Sequence, residues 1–203
     1  MYLSENEKNQ ISKEIENLEK RSSVELVAVI AKSSSSYKYE GLLVSLGITT
    51  LISIISIFLD MNSKLFFQLQ ILVFTLSYLL IYKFNNIPLL FMSKKYKQLK
   101  ASQKAKKEFN YLGIKNTKTR QGIMFYVSIE EKYVEIITDE EIQKKIPNKY
   151  WQDIIDEFII DIKNNEFSKG YLKAIKSCSN RLVADFPIQK NDINELSNEV
   201  IEL

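Results

Sequence analysis

Two uncharged runs separated by five residues constrain this chain more than any other feature. Gly41–Leu59 (GLLVSLGITTLISIISIFL) is nineteen residues without a charge, and Leu65–Tyr82 (LFFQLQILVFTLSYLLIY) is eighteen more. As helices rising 1.5 Å per residue, each is about 27 Å long, close to the ~30 Å hydrocarbon core of a bilayer. A soluble domain built from the rest of a 203-residue chain is too small to enclose both. The Asp60–Lys64 connection is short, so the helices must run antiparallel, and a transmembrane hairpin over residues 39–83 (spans 41–59 and 65–82) is expected. Gln68 and Gln70 are the strongly polar side chains inside it, and both lie near the start of the second helix, within reach of the interface. The first 38 residues are charged and no small-residue cleavage site follows the first run, which is unlike a signal peptide. The loop carries Lys64 alone, whereas the flanks carry Lys20, Arg21, Lys32, Lys38, Lys83, Lys94, Lys95, Lys97 and Lys100. By the positive-inside rule this predicts a plasma (inner) membrane protein with both termini cytoplasmic.

Composition removes several chemistries. There is no histidine, which excludes Ser-His-Asp triads, Cys-His dyads and His-ligated zinc. The single cysteine, Cys178, excludes an intrachain disulfide, and it falls on the apolar stripe of an expected helix, where a buried structural thiol is the ordinary outcome. The formal net charge of +3 hides a gradient: residues 83–132 carry twelve Lys or Arg against three acids, and residues 133–203 nine against fourteen. The basic block directly follows the hairpin.

Ser4-x-x-Glu7 has the form of a capping box, predicting a helix with Ile11, Ile15 and Leu18 on one face. Val24–Ala31 reads as a strand and Ser33–Ser36 as a polar linker into the membrane. Asn85–Pro88 breaks the pattern after the hairpin. Ser93–Leu112 then reads as a basic helix with Ala101, Ala105, Phe109 and Leu112 inward and Gly113 as its stop. Gly122–Ile129 and Tyr133–Thr138 are strands joined by a tight turn. Trp151, Ile155, Phe158 and Ile162 mark the core face of a helix opening near Pro147. Phe167, Tyr171, Ala174, Cys178 and Leu182 mark the next, which ends at Phe186-Pro187. Asp192-x-x-Glu195 predicts a last acidic helix with Ile193, Leu196 and Val200 inward. The first two strands are linked through a helix and are therefore expected to be parallel, so residues 1–38 and 94–187 must form one soluble domain interrupted by the hairpin, with 188–203 as an acidic C-terminal helix or tail.

In that order and spacing, Phe109–Ile114, Thr117-x-x-Arg120-x-Gly122 with the following strand, Val134–Asp139, Ile146-Pro147 with Trp151, and Phe167–Gly170 resemble the TPM domain family, in a branch where a membrane hairpin interrupts the domain. Over about residues 5–40 and 95–187 the resemblance implies an α/β/α sandwich. It also implies phosphatase or calcium-binding activity in some members and accessory or assembly roles for membrane complexes in others. The Gly-rich segment usual after the strand ending at Asp139 is replaced here by Glu140–Lys145.

Candidate site residues follow from position. Asp139, Glu140 and Glu141 cluster at a strand end, where carboxylates suit a hard cation or, equally, a helix N-terminus. Lys144 and Lys145 close by disfavour a metal, and no metal or other cofactor is assigned. Arg120 can bind an anion or pair with Asp139. Lys94, Lys95, Lys97 and Lys100 suit lipid headgroups beside the cytoplasmic leaflet. Only Tyr96 interleaves the lysines, unlike the aromatic-rich faces that bind nucleic acid. The expected function is a membrane-anchored TPM-like interaction or accessory module with the bilayer and a membrane protein as partners. A divergent metal-assisted phosphatase and an anionic-lipid-binding module are the alternatives, and homo-oligomerisation is left open.

Overall fold

The computed structural model describes residues 2–84, 86–190 and 192–203. The chain divides into two units, Met1–Ser34 with Gln98–Leu203, and Ser35–Lys97. Asn85, the first residue of the expected break after the hairpin, lies outside the described residues.

In the first unit, Ser4 caps α1 (Glu5–Glu19) through the reciprocal pair of bonds expected of a capping box: the Glu7 N–H donates to Ser4 Oγ and the Ser4 N–H to Glu7 Oε2. Ile11, Ile15 and Leu18 are buried on its inner face. All seven residues of β1 (Glu25–Ala31) are buried, which explains a near-continuous apolar run rather than an alternating one: both faces of the sheet are covered. The second unit holds α2 (Lys38–Phe58), α3 (Ser63–Lys83) and the single turn α4 (Ile87–Leu90). The helix α5 (Lys94–Tyr111) then leads by way of Gly113 and a 3-10 turn at Ile114–Asn116 to β2 (Gly122–Ser128) and β3 (Tyr133–Thr138). After these come α6 (Glu140–Lys145), α7 (Asn148–Lys163), α8 (Phe167–Asp185) and β4 (Ile201–Glu202).

The sheet order is β3-β2-β1-β4. β1 pairs in parallel with β2 along its whole length, Glu25 opposite Gly122 through Ala31 opposite Ser128, and β2 pairs antiparallel with β3. Leu26, Ala28, Ile30, Ile123, Phe125 and Val127 pack on one face against α1, α7 and α8. Val27, Val29, Met124 and Tyr126 pack on the other against Ala105 and Phe109 of α5 and Ile114. The fold is thus mixed α/β with helices on both faces of a four-stranded sheet. On the inner face of α7, Ile154 and Asp161 are buried beside Trp151, Phe158 and Ile162, while Ile155 is only half-buried. Gly170 lets α8 approach α7: a Cβ there would lie 2.7 Å from the Phe158 ring. The Tyr171 hydroxyl fastens α8 to the sheet by donating to the Val29 carbonyl at 2.6 Å.

Of the helix or tail expected over residues 188–203, the described residues form no helix. The carboxylate of Glu25 accepts the N–H groups of Glu195 (3.1 Å) and Leu196 (3.2 Å), which ties the segment down ahead of β4. The chain then pairs with the outer edge of β1, the Leu203 N–H donating to Ile30 O and the Lys32 N–H to Leu203 O, both at 2.9 Å. An otherwise open strand edge is satisfied in this way, a gain that a local helix over these residues cannot supply.

In the second unit, α2 and α3 are antiparallel and each is long and apolar enough to cross a membrane; only 17% and 6% of their apolar stretches are buried. The hydroxyls within α2 are consumed internally: Ser45, Thr49, Ser53 and Ser56 each donate to the carbonyl four residues earlier. Gln70 donates from Nε2 to Ser53 Oγ across the hairpin at 2.9 Å, while Gln68 is exposed.

Candidate functional site

Three groups of polar residues stand out in the first unit. The first contains the residues singled out in the sequence. Arg120 takes a left-handed backbone conformation (φ 54°) before β2 and reaches the end of β3. Its Nε donates to Asp139 Oδ2 at 2.7 Å, and its Nη2 to Asp139 Oδ1 at 3.0 Å and to Glu140 Oε1 at 2.9 Å. Asp139 is buried and also caps α6, accepting the Glu140 N–H at 2.8 Å. The carboxylates beside Arg120, Asp139 foremost, raise its pKa above the usual guanidinium value, so this is a permanently charged fork. Glu141 turns away and pairs with Lys144. The cluster therefore joins Arg120, Asp139 and Glu140 but directs the carboxylates at the guanidinium and a helix N-terminus. Among the described residues, no three His, Cys, Asp or Glu side chains converge in a geometry that could hold a metal ion.

The second group lies at the ends of the parallel strands β1 and β2, and sequence reasoning missed it. Ser33 and Ser34, read as linker, are held by Glu131: its Oε1 accepts the Ser34 N–H at 2.9 Å and the Ser33 hydroxyl at 3.2 Å. Its Oε2 accepts the Ser128 hydroxyl. Ser34 Oγ lies 2.7 Å from Ser128 Oγ and 3.1 Å from the Tyr126 hydroxyl. Burial pushes the Tyr126 phenol up to about 12, so it stays protonated and serves only as a hydrogen-bonding partner. A serine held by a carboxylate without an imidazole is a poor nucleophile, and this network acts as a clamp on the segment leaving β1. The only hint in the sequence was the coincidence of serines with a Glu in the β2–β3 turn.

The third is a groove of about 550 Å³ along β3, lined among others by Lys106, Tyr133, Glu135, Gln143, Trp151 and Ile155. β3 ends the sheet order, so no described strand pairs with its outer edge. The Asp139 N–H donates to Gly122 O, and by the alternation of antiparallel bonding the backbone groups of Val134, Ile136 and Thr138 point away from β2. Thr138 O is taken by Gln143 Nε2 at 2.6 Å. Within the groove, Glu135 Oε2 and Trp151 Nε1 are buried without a hydrogen-bond partner. Burial also raises the Glu135 carboxyl above the usual range. The strand carries no Pro or Lys of the kind that blunts exposed edges.

Cys178 is fully buried and its thiol is pushed up to about 12 by burial. Lys94 and Lys95 are exposed, whereas Lys97 donates to Leu89 O at 3.2 Å and is half-buried like Lys100.

Residues 87–181, a little under half of the chain, match the family model of the TPM domain. The match overlaps the second part of the resemblance seen in the sequence, starting eight residues before it, and does not reach Val24–Ala31. No curated protein matches the chain. The fold is similar to the NMR structure of the BA42 protein from the psychrophilic bacterium Bizionia argentinensis sp. nov.. The TM-score is 0.63 at 19% identity, covering 100% of this chain and 97% of that one, a likeness of fold.

Proposed function

We propose that this chain, which carries a TPM domain match over residues 87–181, is a membrane-anchored interaction module that assists the assembly or stability of a membrane protein. The observation that carries the reading is the hairpin: two helices of 21 residues leave most of their apolar surface uncovered, and they are spliced between two strands that pair directly. An insertion of that kind tethers the folded domain at the bilayer by both ends of the hairpin. The positive-inside bias supports a domain and both termini on the cytoplasmic side of the plasma membrane.

The groove along β3 supports the interaction half of the reading. Its open backbone edge suits an extended segment of a membrane protein in the same bilayer, added as a fifth strand. The backbone groups of Val134 and Ile136, which point away from β2, offer that segment its ladder partners. A photo-reactive residue replacing the exposed, groove-lining Gln152 tests this in native membranes. One dominant membrane-protein adduct, mapped to an extended segment, is expected. Adducts to lipid only, or to a second copy of this chain, would overturn the reading. The family also carries the name of a phosphatase, and that second reading places Asp139 or Glu140 at the chemistry. Phosphate release from a generic ester, lost in Asp139→Asn, would favour it over the first.

A further inference from the structure

We infer that the open end of the hairpin carries an interfacial lip that binds anionic phospholipid headgroups, an inference that rests on the membrane reading above. The apolar run of α3 stops at Tyr82, yet the chain does not simply leave. It forms α4, whose Pro88 and Leu89 are buried. Gly41 makes room for this turn and for α3: a Cβ at that position would sit 2.6 Å from Ile81 Cγ2 and 3.4 Å from Pro88 Cγ. With those two side chains buried, the next two are turned out, Leu90 at 82% and Phe91 at 64% exposure. A soluble surface gains nothing from displaying two adjacent large apolar side chains directly after a helix of this hydropathy. A bilayer interface does, because the apolar surface of the hairpin continues onto them.

The same end of the unit has the composition of an interfacial belt. Tyr39 and Tyr82 are exposed there, and Lys38 Nζ lies 5.2 Å from the Tyr82 ring centroid. Interfaces collect such amphipathic rings. The first residues of α5 are tied to the base of the hairpin. The Tyr96 hydroxyl donates to Glu40 Oε1 at 2.7 Å and Lys97 Nζ to Leu89 O at 3.2 Å. These contacts fix the register of Lys94 and Lys95, both exposed, three and four residues beyond Phe91. Apolar wedge and cations are thus held on one short stretch, the arrangement that pairs an acyl-chain contact with an anionic headgroup. The charge selects anionic over zwitterionic lipid by about five-fold per lysine.

The test uses the full chain in nanodiscs, with a nitroxide attached at Phe91→Cys and, separately, at Leu90→Cys. Native Cys178 is fully buried and leaves the background clear. Accessibility to oxygen and to a water-soluble nickel complex reports depth in phosphatidylcholine alone and with phosphatidylglycerol added. Both labels should be oxygen-accessible, and deeper with phosphatidylglycerol. Lys94→Ala with Lys95→Ala should remove that dependence and cut selectivity for spin-labelled phosphatidylglycerol by roughly 25-fold. Labels accessible to nickel in both lipids, or equally deep in both and indifferent to the lysine changes, overturn the inference. A control label at Ile55→Cys separates the two levels. If it is deep, the membrane reading stands whatever position 91 does. If it is in water, the membrane reading itself has failed.

Discussion

Glu131→Ala tests what holds the segment leaving β1. The buried Glu131 carboxylate accepts the Ser34 N–H, the Ser33 hydroxyl and the Ser128 hydroxyl. Hydrogen bonds to a charged group contribute about 1.5–3 kcal/mol each, but the three do not simply add. Ser128 Oγ has Ser34 Oγ at 2.7 Å as a substitute partner, and Ser33 is half-buried, so its hydroxyl can turn to water. Removing the carboxylate also recovers the cost of desolvating it. The Ser34 amide has no freedom to rotate, and its loss dominates, giving a net destabilisation of about 2–3 kcal/mol. Glu131→Gln keeps one acceptor oxygen and should cost about 1 kcal/mol. Unfolding of the full chain in nanodiscs, followed by fluorescence of the single Trp151, measures the global term. Hydrogen exchange at the Ser34 amide measures the local one, and should quicken by about 100-fold in Glu131→Ala. If exchange at Ser34 and the unfolding midpoint are both unchanged, the clamp is not what holds this segment.

Two further predictions concern the same domain. Burial, with Glu25 and Asp192 adding repulsion, pushes the Glu19 carboxyl from 4.5 up to about 8. The folded state then binds this proton more tightly than the unfolded state. Its stability should be greatest below about pH 4.5 with respect to this group, fall as pH rises toward 8, and level off above. Glu19→Gln should flatten that slope in urea titrations between pH 5 and 9. Gly170→Ala sets two effects against each other: about 1 kcal/mol gained in helix propensity, and roughly 1–3 kcal/mol lost by forcing a methyl against the Phe158 ring. The clash lies at 2.7 Å against a ring in the core, so net destabilisation of about 1 kcal/mol is expected. Phe158→Leu in the same chain should then restore part of it, and a stabilised Gly170→Ala would show that the two helices yield.

What could be read from the sequence and what could not divides along physical lines. Local rules worked where the determinants are local. Ser4 and Glu7 cap α1 through their own side chains, and the spacing of Phe167, Tyr171, Ala174, Cys178 and Leu182 marks the buried stripe of α8. Parallel pairing of β1 with β2 followed from the helix between them. β4 was missed because two residues have no periodicity, and the groups that hold the segment, Glu25 and the β1 edge, lie some 170 residues away in sequence. The Ser34 clamp escaped for the same reason: Glu131 is 97 residues distant, and a run of serines alone reads as linker. Arg120 and Asp139 were legible as a pair because they flank adjacent strands, but their bidentate geometry and the capping of α6 depend on how closely the β2 and β3 ends approach in the fold.

The most direct test of the central claim is the topology of the hairpin in intact cells. A cysteine at Ser63→Cys in the connecting loop and another at Ser197→Cys near the C-terminus are both exposed, and Cys178 is buried. With a membrane-impermeant maleimide, position 63 should label in intact spheroplasts and position 197 only after permeabilisation, the protein staying with the membrane through carbonate extraction. Equal labelling of both sites in intact cells, or release of the protein by carbonate, would contradict a membrane-inserted hairpin carrying a cytoplasmic domain.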